Sequence, residues 1–121
     1  MEIFEEIEGA MLESVSVSEA TYVDAGSSGS KPLKVEGCSL VFDLGWFVIE
    51  NRFSVISPEN LDVGLNELVG LKVGSAYSTE EEIRINFELG SYISVSMKDE
   101  DFVGPEAASY TPKRGDIVVF N

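Results

Sequence analysis

The feature that most constrains this chain is a hairpin-like stretch that occurs twice. In residues 83–97, Ile83, Ile85 and Phe87 alternate with Arg84, Asn86 and Glu88. After Leu89-Gly90-Ser91, the apolar Ile93, Val95 and Met97 alternate with Ser94 and Ser96. Alternation of period two on both sides of a short Gly-containing turn is the pattern of a β-hairpin with one buried face. Residues 40–49 look like an earlier copy. At a separation of 45 residues, Gly45 matches Gly90, Leu40 matches Ile85, Phe42 matches Phe87, Asp43 matches Glu88 and Val48 matches Ile93.

A second match lies upstream. Phe4-Glu5-Glu6-Ile7-Glu8-Gly9 and Leu65-Asn66-Glu67-Leu68-Val69-Gly70 stand 61 residues apart. Each reads as one helical turn, with apolar residues on one side and a closing glycine. The two separations differ by 16 residues, close to the size of the Gly/Ser-rich excursion that follows Asp24. The chain is therefore read as a single domain, 1–121, with an internal pseudo-repeat of 4–57 and 65–121. The expected fold is mostly β (β-rich α+β): an antiparallel sheet, sandwich or partly closed barrel from a duplicated helix-turn, strand and hairpin unit.

The remaining segments fit around this frame. Met11 to Val23 reads as a strand, Asp24 to Pro32 as a polar loop, and strand signals resume at Leu33 and Val35. Trp46-Phe47-Val48-Ile49 is apolar on both faces, which predicts a central strand or one covered on its outer side. Asn51 to Ile56 continues that strand or starts the next. Ser57-Pro58-Glu59-Asn60 has the form of a helix start; Leu61, Leu65 and Leu68 follow at helical spacing, and Gly70 closes the element. Leu71 to Tyr77 is expected as a strand, 78–82 as a charged turn, 98–107 as a loop or short helix, and 115–121 as a last strand.

Composition bounds the chemistry. The 121 residues hold no histidine, which excludes Ser-His-Asp and Cys-His catalysis and His-ligated metals. The single cysteine, Cys38, forbids an internal disulfide and matches Ile83 of the later copy, so it reads as a small buried hydrophobe. No apolar run reaches the roughly 18–20 residues of a membrane span. The acidic start, Met1 to Glu6, is unlike a secretory leader, and a cytoplasmic location is expected. Twenty-two acids against eight bases give a net charge of −14. Such a field repels nucleic acid and anionic membranes and speeds encounters with basic partners; solubility alone is the plainer meaning.

Two acidic clusters are the candidate sites. Asp99, Glu100, Asp101 and Glu106 crowd one loop but lack the ligand order of a calcium loop. Glu80, Glu81 and Glu82 fill a turn, where charge also keeps a sheet edge soluble. No phosphate-cradling glycine motif is present, and Lys113-Arg114 is too small a basic patch for nucleic acid. No catalytic residue, cofactor or metal is assigned, and an enzyme is not expected. A carboxylate-based hydrolase is the weakest alternative, since nothing marks a particular acid pair.

The second half resembles a family of small bacterial immunity proteins that accompany polymorphic and contact-dependent growth inhibition toxins. The residues that carry the resemblance are Leu68 to Val73, Ile83 to Val95, Phe102-Val103-Gly104-Pro105-Glu106-Ala107 and Asp116 to Asn121, with Phe47 to Asn51 from the first half. The resemblance implies a non-enzymatic protein, monomeric when free, that binds and neutralises one cognate toxin domain. Many such toxins are basic nucleases, which suits an acidic inhibitor. Glu80, Glu81, Glu82, Asp99, Glu100, Asp101 and Glu106 are then the candidate contacts, on charge density. An exposed edge strand is another route to such a partner. The alternative is an acidic structural or adaptor module with no toxin partner.

Overall fold

The computed structural model describes residues 2–22, 33–101 and 106–121; side chains of 2, 3, 18–22, 33–36 and 99 are outside that description. The expected polar loop before Leu33 and the stretch Phe102 to Pro105 lie outside the described residues. Ten strands are described: β1 (Glu2–Ile3), β2 (Leu12–Tyr22), β3 (Leu33–Phe42), β4 (Gly45–Ile49), β5 (Phe53–Ile56), β6 (Val73–Ser78), β7 (Glu82–Phe87), β8 (Tyr92–Ser96), β9 (Ala108–Pro112) and β10 (Val118–Phe120). They form two five-stranded antiparallel sheets, ordered β1-β6-β7-β8-β5 and β10-β9-β4-β3-β2. The chain is mostly β, as expected, and neither sheet closes into a barrel. No helix among the described residues is long and apolar enough to cross a membrane.

The segments matched in the sequence make matching backbone hydrogen bonds. Ala10 N–H donates to Ile7 and Leu71 N–H to Leu68, each at 3.0 Å, closing short 3-10 turns at Glu5–Ile7 and Leu65–Leu68. Gly9 donates to Val73 while Gly70 donates to Leu12, both at 2.8 Å, so the two turns grip each other's following strand. Met11 N–H donates to the Asp43 carboxylate at 2.9 Å, and Lys72 N–H to the Glu88 carboxylate at 3.2 Å. Met11 and Lys72, 61 residues apart like the two turns, pair directly in an antiparallel bridge. Equivalent Phe42 and Phe87 also meet, with ring centroids 6.4 Å apart.

Each half contributes a three-stranded meander, β2-β3-β4 or β6-β7-β8, and then gives its fourth strand to the other sheet. β5 pairs with β8 and β9 pairs with β4. The crossings match: Glu50 N–H donates to the Ala107 carbonyl at 2.9 Å, and Ser96 N–H to the Arg52 carbonyl at 2.8 Å. Alternation explains the interior. Ile83, Ile85, Phe87, Ile93 and Val95 from one sheet face Cys38, Leu40, Phe42, Phe47 and Ile49 from the other, all buried. An aromatic cluster of Phe4, Phe47, Tyr110 and Phe120 fills the core, with Phe4 edge-on to Tyr110 and to Phe120 at 5.3 Å.

Two expectations are corrected. The stretch from Ser57 to Gly70 is not one helix: Asn60 takes φ +64°, Ser57 exchanges hydrogen bonds with Asn60 and Leu61, and Val63 N–H returns to the Val55 carbonyl. Strand pairing of this return with β5 outweighs local helical propensity, leaving only the turn Leu65–Leu68. The second hairpin turn is one residue longer than the first. Leu40 pairs with Phe47 and Ile85 with Ile93, so Ile93 matches Phe47 rather than Val48. β4 is central in its sheet, one of the two placements expected, and its outer face is open, with Trp46 45% exposed.

Candidate partner-binding surface

The turn between β6 and β7 is built by Thr79. Its hydroxyl accepts from the N–H groups of Glu81 and Glu82, each at 3.1 Å, and its own N–H donates to the Glu82 carbonyl at 2.8 Å. A hydroxyl that satisfies two backbone donors fixes a tight tip without glycine. Glu80 and Glu81 are exposed on that tip, whereas Glu82 is half-buried at the start of β7.

The second acidic cluster is tied to the same end of the sheet. Met97 N–H donates to the Glu81 carbonyl at 2.9 Å, directly after β8. Ser96, opposite Glu82 in the ladder, donates its hydroxyl to Asp101 Oδ2 at 2.6 Å. Asp101 closes a short 3-10 turn, Asp99–Asp101, on which Glu100 is exposed; the Asp99 side chain is outside the described residues. Asn51 then links the two sheets, donating Nδ2–H to the Ser96 carbonyl at 2.8 Å. Glu106 sits just before β9 in the other sheet and is half-buried. The fold thus gathers Glu80, Glu81, Glu82, Glu100 and Asp101 at one end of the β6-β7-β8 meander.

These acids are not equivalent. Arg84 Nε donates to Glu82 Oε1 at 2.8 Å, so that carboxylate is engaged within the sheet. Arg52 Nη1, on an exposed side chain, stands 3.8 Å from Oδ1 of the largely covered Asp101, a long contact that contributes little to stability. Glu80, Glu81 and Glu100 present their charge outward.

Charge density in the sequence did not point to the outer face beside this cluster. Tyr77 lies opposite Arg84 in the ladder, and Asn86 opposite Tyr92. The Arg84 guanidinium lies over the Tyr92 ring, 4.0 Å from its centroid. Partial burial disfavours the charged Arg84, but the hydrogen bond and charge of Glu82, helped by Tyr77 and Tyr92, outweigh it and raise its pKa. A charged arginine held over a tyrosine ring is the side-chain type that anchors protein interfaces. Alternation signalled that Arg84 and Asn86 point outward, but only the strand register shows that Tyr77 and Tyr92 flank them. Among the described residues, no group of three or more Asp, Glu or Cys is placed to hold a metal ion.

Compared with known proteins, the chain matches no family model, no curated sequence and no solved structure.

Proposed function

We propose that the chain is a non-enzymatic immunity-type protein that binds and neutralises a cognate basic toxin domain, and that it docks through the acidic end of the β6-β7-β8 meander. The observation that supports this reading is the convergence of outward-facing Glu80, Glu81 and Glu100 beside the Arg84–Tyr92 pair. Clustered like charge on one rim, in a chain of net charge −14, speeds encounter with a basic partner and sets its orientation. Burial of the aromatic-arginine patch under the partner then slows dissociation. A basic nuclease is the toxin class that suits this field.

The test is affinity capture from native host lysate with the chain as bait, followed by association kinetics on the captured partner. One basic protein in equal amount is expected. Its association rate should fall about tenfold or more between low and physiological salt. The variant E80Q/E81Q/E100Q should flatten that salt response while leaving folding unchanged. A rate that ignores salt removes the acidic end from the mechanism, and capture of several unrelated cellular proteins favours an adaptor.

A further inference from the structure

The two sheets expose four meander or swapped-strand edges, and three of them are covered by the chain itself. β1 covers β6, with Glu2 opposite Ser78, Ile3 opposite Tyr77, and Phe4 N–H donating to the Ala76 carbonyl at 2.8 Å. β10 covers β9. The return after Asn60 covers β5, with Asp62 opposite Ile56 and Val63 N–H on the Val55 carbonyl.

The fourth edge belongs to β2, the equivalent of β6. Both strands carry a register shift at the same place, Leu12/Ser14 and Val73/Ser75, so Val15 to Val17 correspond to Ala76 to Ser78. The counterpart of the covering segment would be residues 63–65, but Val63 is held on β5. Among the described residues, none pairs with β2 on that side beyond Leu12. Val17 faces inward beside buried Cys38 yet is 56% exposed. β2 runs for 11 residues without Pro, Lys or Arg, and its two charges, Glu13 and Glu19, guard the edge against acidic strands but not basic ones.

We infer that the open edge of β2, at Val15 and Val17, receives an extended segment of a basic partner protein, which joins the second sheet as an added antiparallel strand. For the partner's basic character, this rests on the reading above. The fold itself shows the geometry, because β1 already does the same on β6. Charge argues against a second copy as occupant. β2 carries Glu13 and Glu19 and no base, and each copy has a net charge of −14, so self-pairing would bring acid against acid.

The test is amide hydrogen exchange on the full chain, alone and with a synthetic peptide of alternating Val and Lys. In the free chain the Val15 and Val17 amides should exchange freely; with peptide they should slow by about tenfold or more. Val17→Pro removes an outward N–H and leaves the β2-β3 ladder intact, so it should abolish this protection at little cost in melting temperature. Val17→Lys, which keeps the N–H but adds like charge, should weaken binding of the Lys peptide and stands in if the proline variant does not fold. Protected Val15 and Val17 amides in the free monomer, or peptide binding that ignores both variants, would overturn the proposal. So would a dimer that Val17→Pro dissociates. Partner capture lost in E80Q/E81Q/E100Q but intact in both Val17 variants would leave the acidic-end reading standing and remove this one. Edge protection by peptide without capture of any basic partner would do the reverse.

Discussion

Tyr110 carries its hydroxyl into the core, fully buried, with no hydrogen-bond partner among the described residues. Burial, reinforced by the charges of Asp43 and Glu6, raises its pKa above the ordinary 10.0. The neutral phenol is the form the fold accepts. The stability it contributes is complete below the unfolded pKa and is lost as pH climbs through the raised folded one. Tyr110→Phe should therefore be neutral or stabilising by about 1 kcal/mol at pH 7, because it removes a buried unpaired hydroxyl. It should also blunt the loss of stability above about pH 10. Denaturant unfolding of both proteins across that range checks this, and a large loss in the variant at pH 7 would reveal a partner for the hydroxyl. Gly45 sits beside it for a different reason. A Cβ there would strike the Thr111 carbonyl and come within 2.8 Å of Pro112 Cα, whereas one on Gly64 would meet nothing within 4 Å. Gly45→Ala should cost about 1–3 kcal/mol or more. Gly64→Ala should leave stability unchanged or raise it by about 0.4–1 kcal/mol. Equal midpoints for the two would mean that β4 can move away from β9.

At the scale of elements, the two hairpins show where the sequence match carries into structure and where it does not. Gly45 and Gly90 occupy matching places in the sequence but answer different needs: Gly45 allows close approach to β9, while Gly90 adopts φ +97° in the longer second turn. The extra residue forces Leu89 to φ +70°, with its side chain 79% exposed. A leucine there carries left-handed strain and gains nothing from burial. Leu89→Asn should stabilise the fold by about 1 kcal/mol, read as a shift in the denaturant midpoint; no shift would mean the turn relaxes at no cost. The inner faces were legible because alternation is local: Ile83, Ile85 and Phe87 declare a buried face from spacing alone. The exchange of β5 and β9 was not, since strand pairing between distant segments leaves no local mark. The same limit applied to Ser57-Pro58-Glu59, a sound helix start that lost to pairing with β5. The acidic tip at Glu80–Glu82 was legible as a turn. That Arg84 occupies Glu82, and that the long strand β2 has no covering strand among the described residues, depend on register.

At the scale of the molecule, the exchange makes each half incomplete. A meander from one half lacks its fourth strand and faces a core whose other wall belongs to its twin, and about 60 residues with half a core is too little to fold alone. Fragments 1–60 and 61–121, cut at the Asn60 turn, should each be unstructured by circular dichroism and should regain strand signal when mixed in equal amounts. Cooperative unfolding of either fragment alone would show that the exchanged strand is not needed. Salt sets a second, sharper condition. Each fragment has eleven acids, against three bases in the first and five in the second, giving −8 and −6. The halves therefore repel, and screening should tighten their association. Binding of a basic partner at Glu80, Glu81 and Glu100 should weaken under the same change. One titration with salt thus separates the two roles of this acidity: within the fold it opposes assembly and is overcome by buried apolar surface, while toward a basic partner it is the attraction itself.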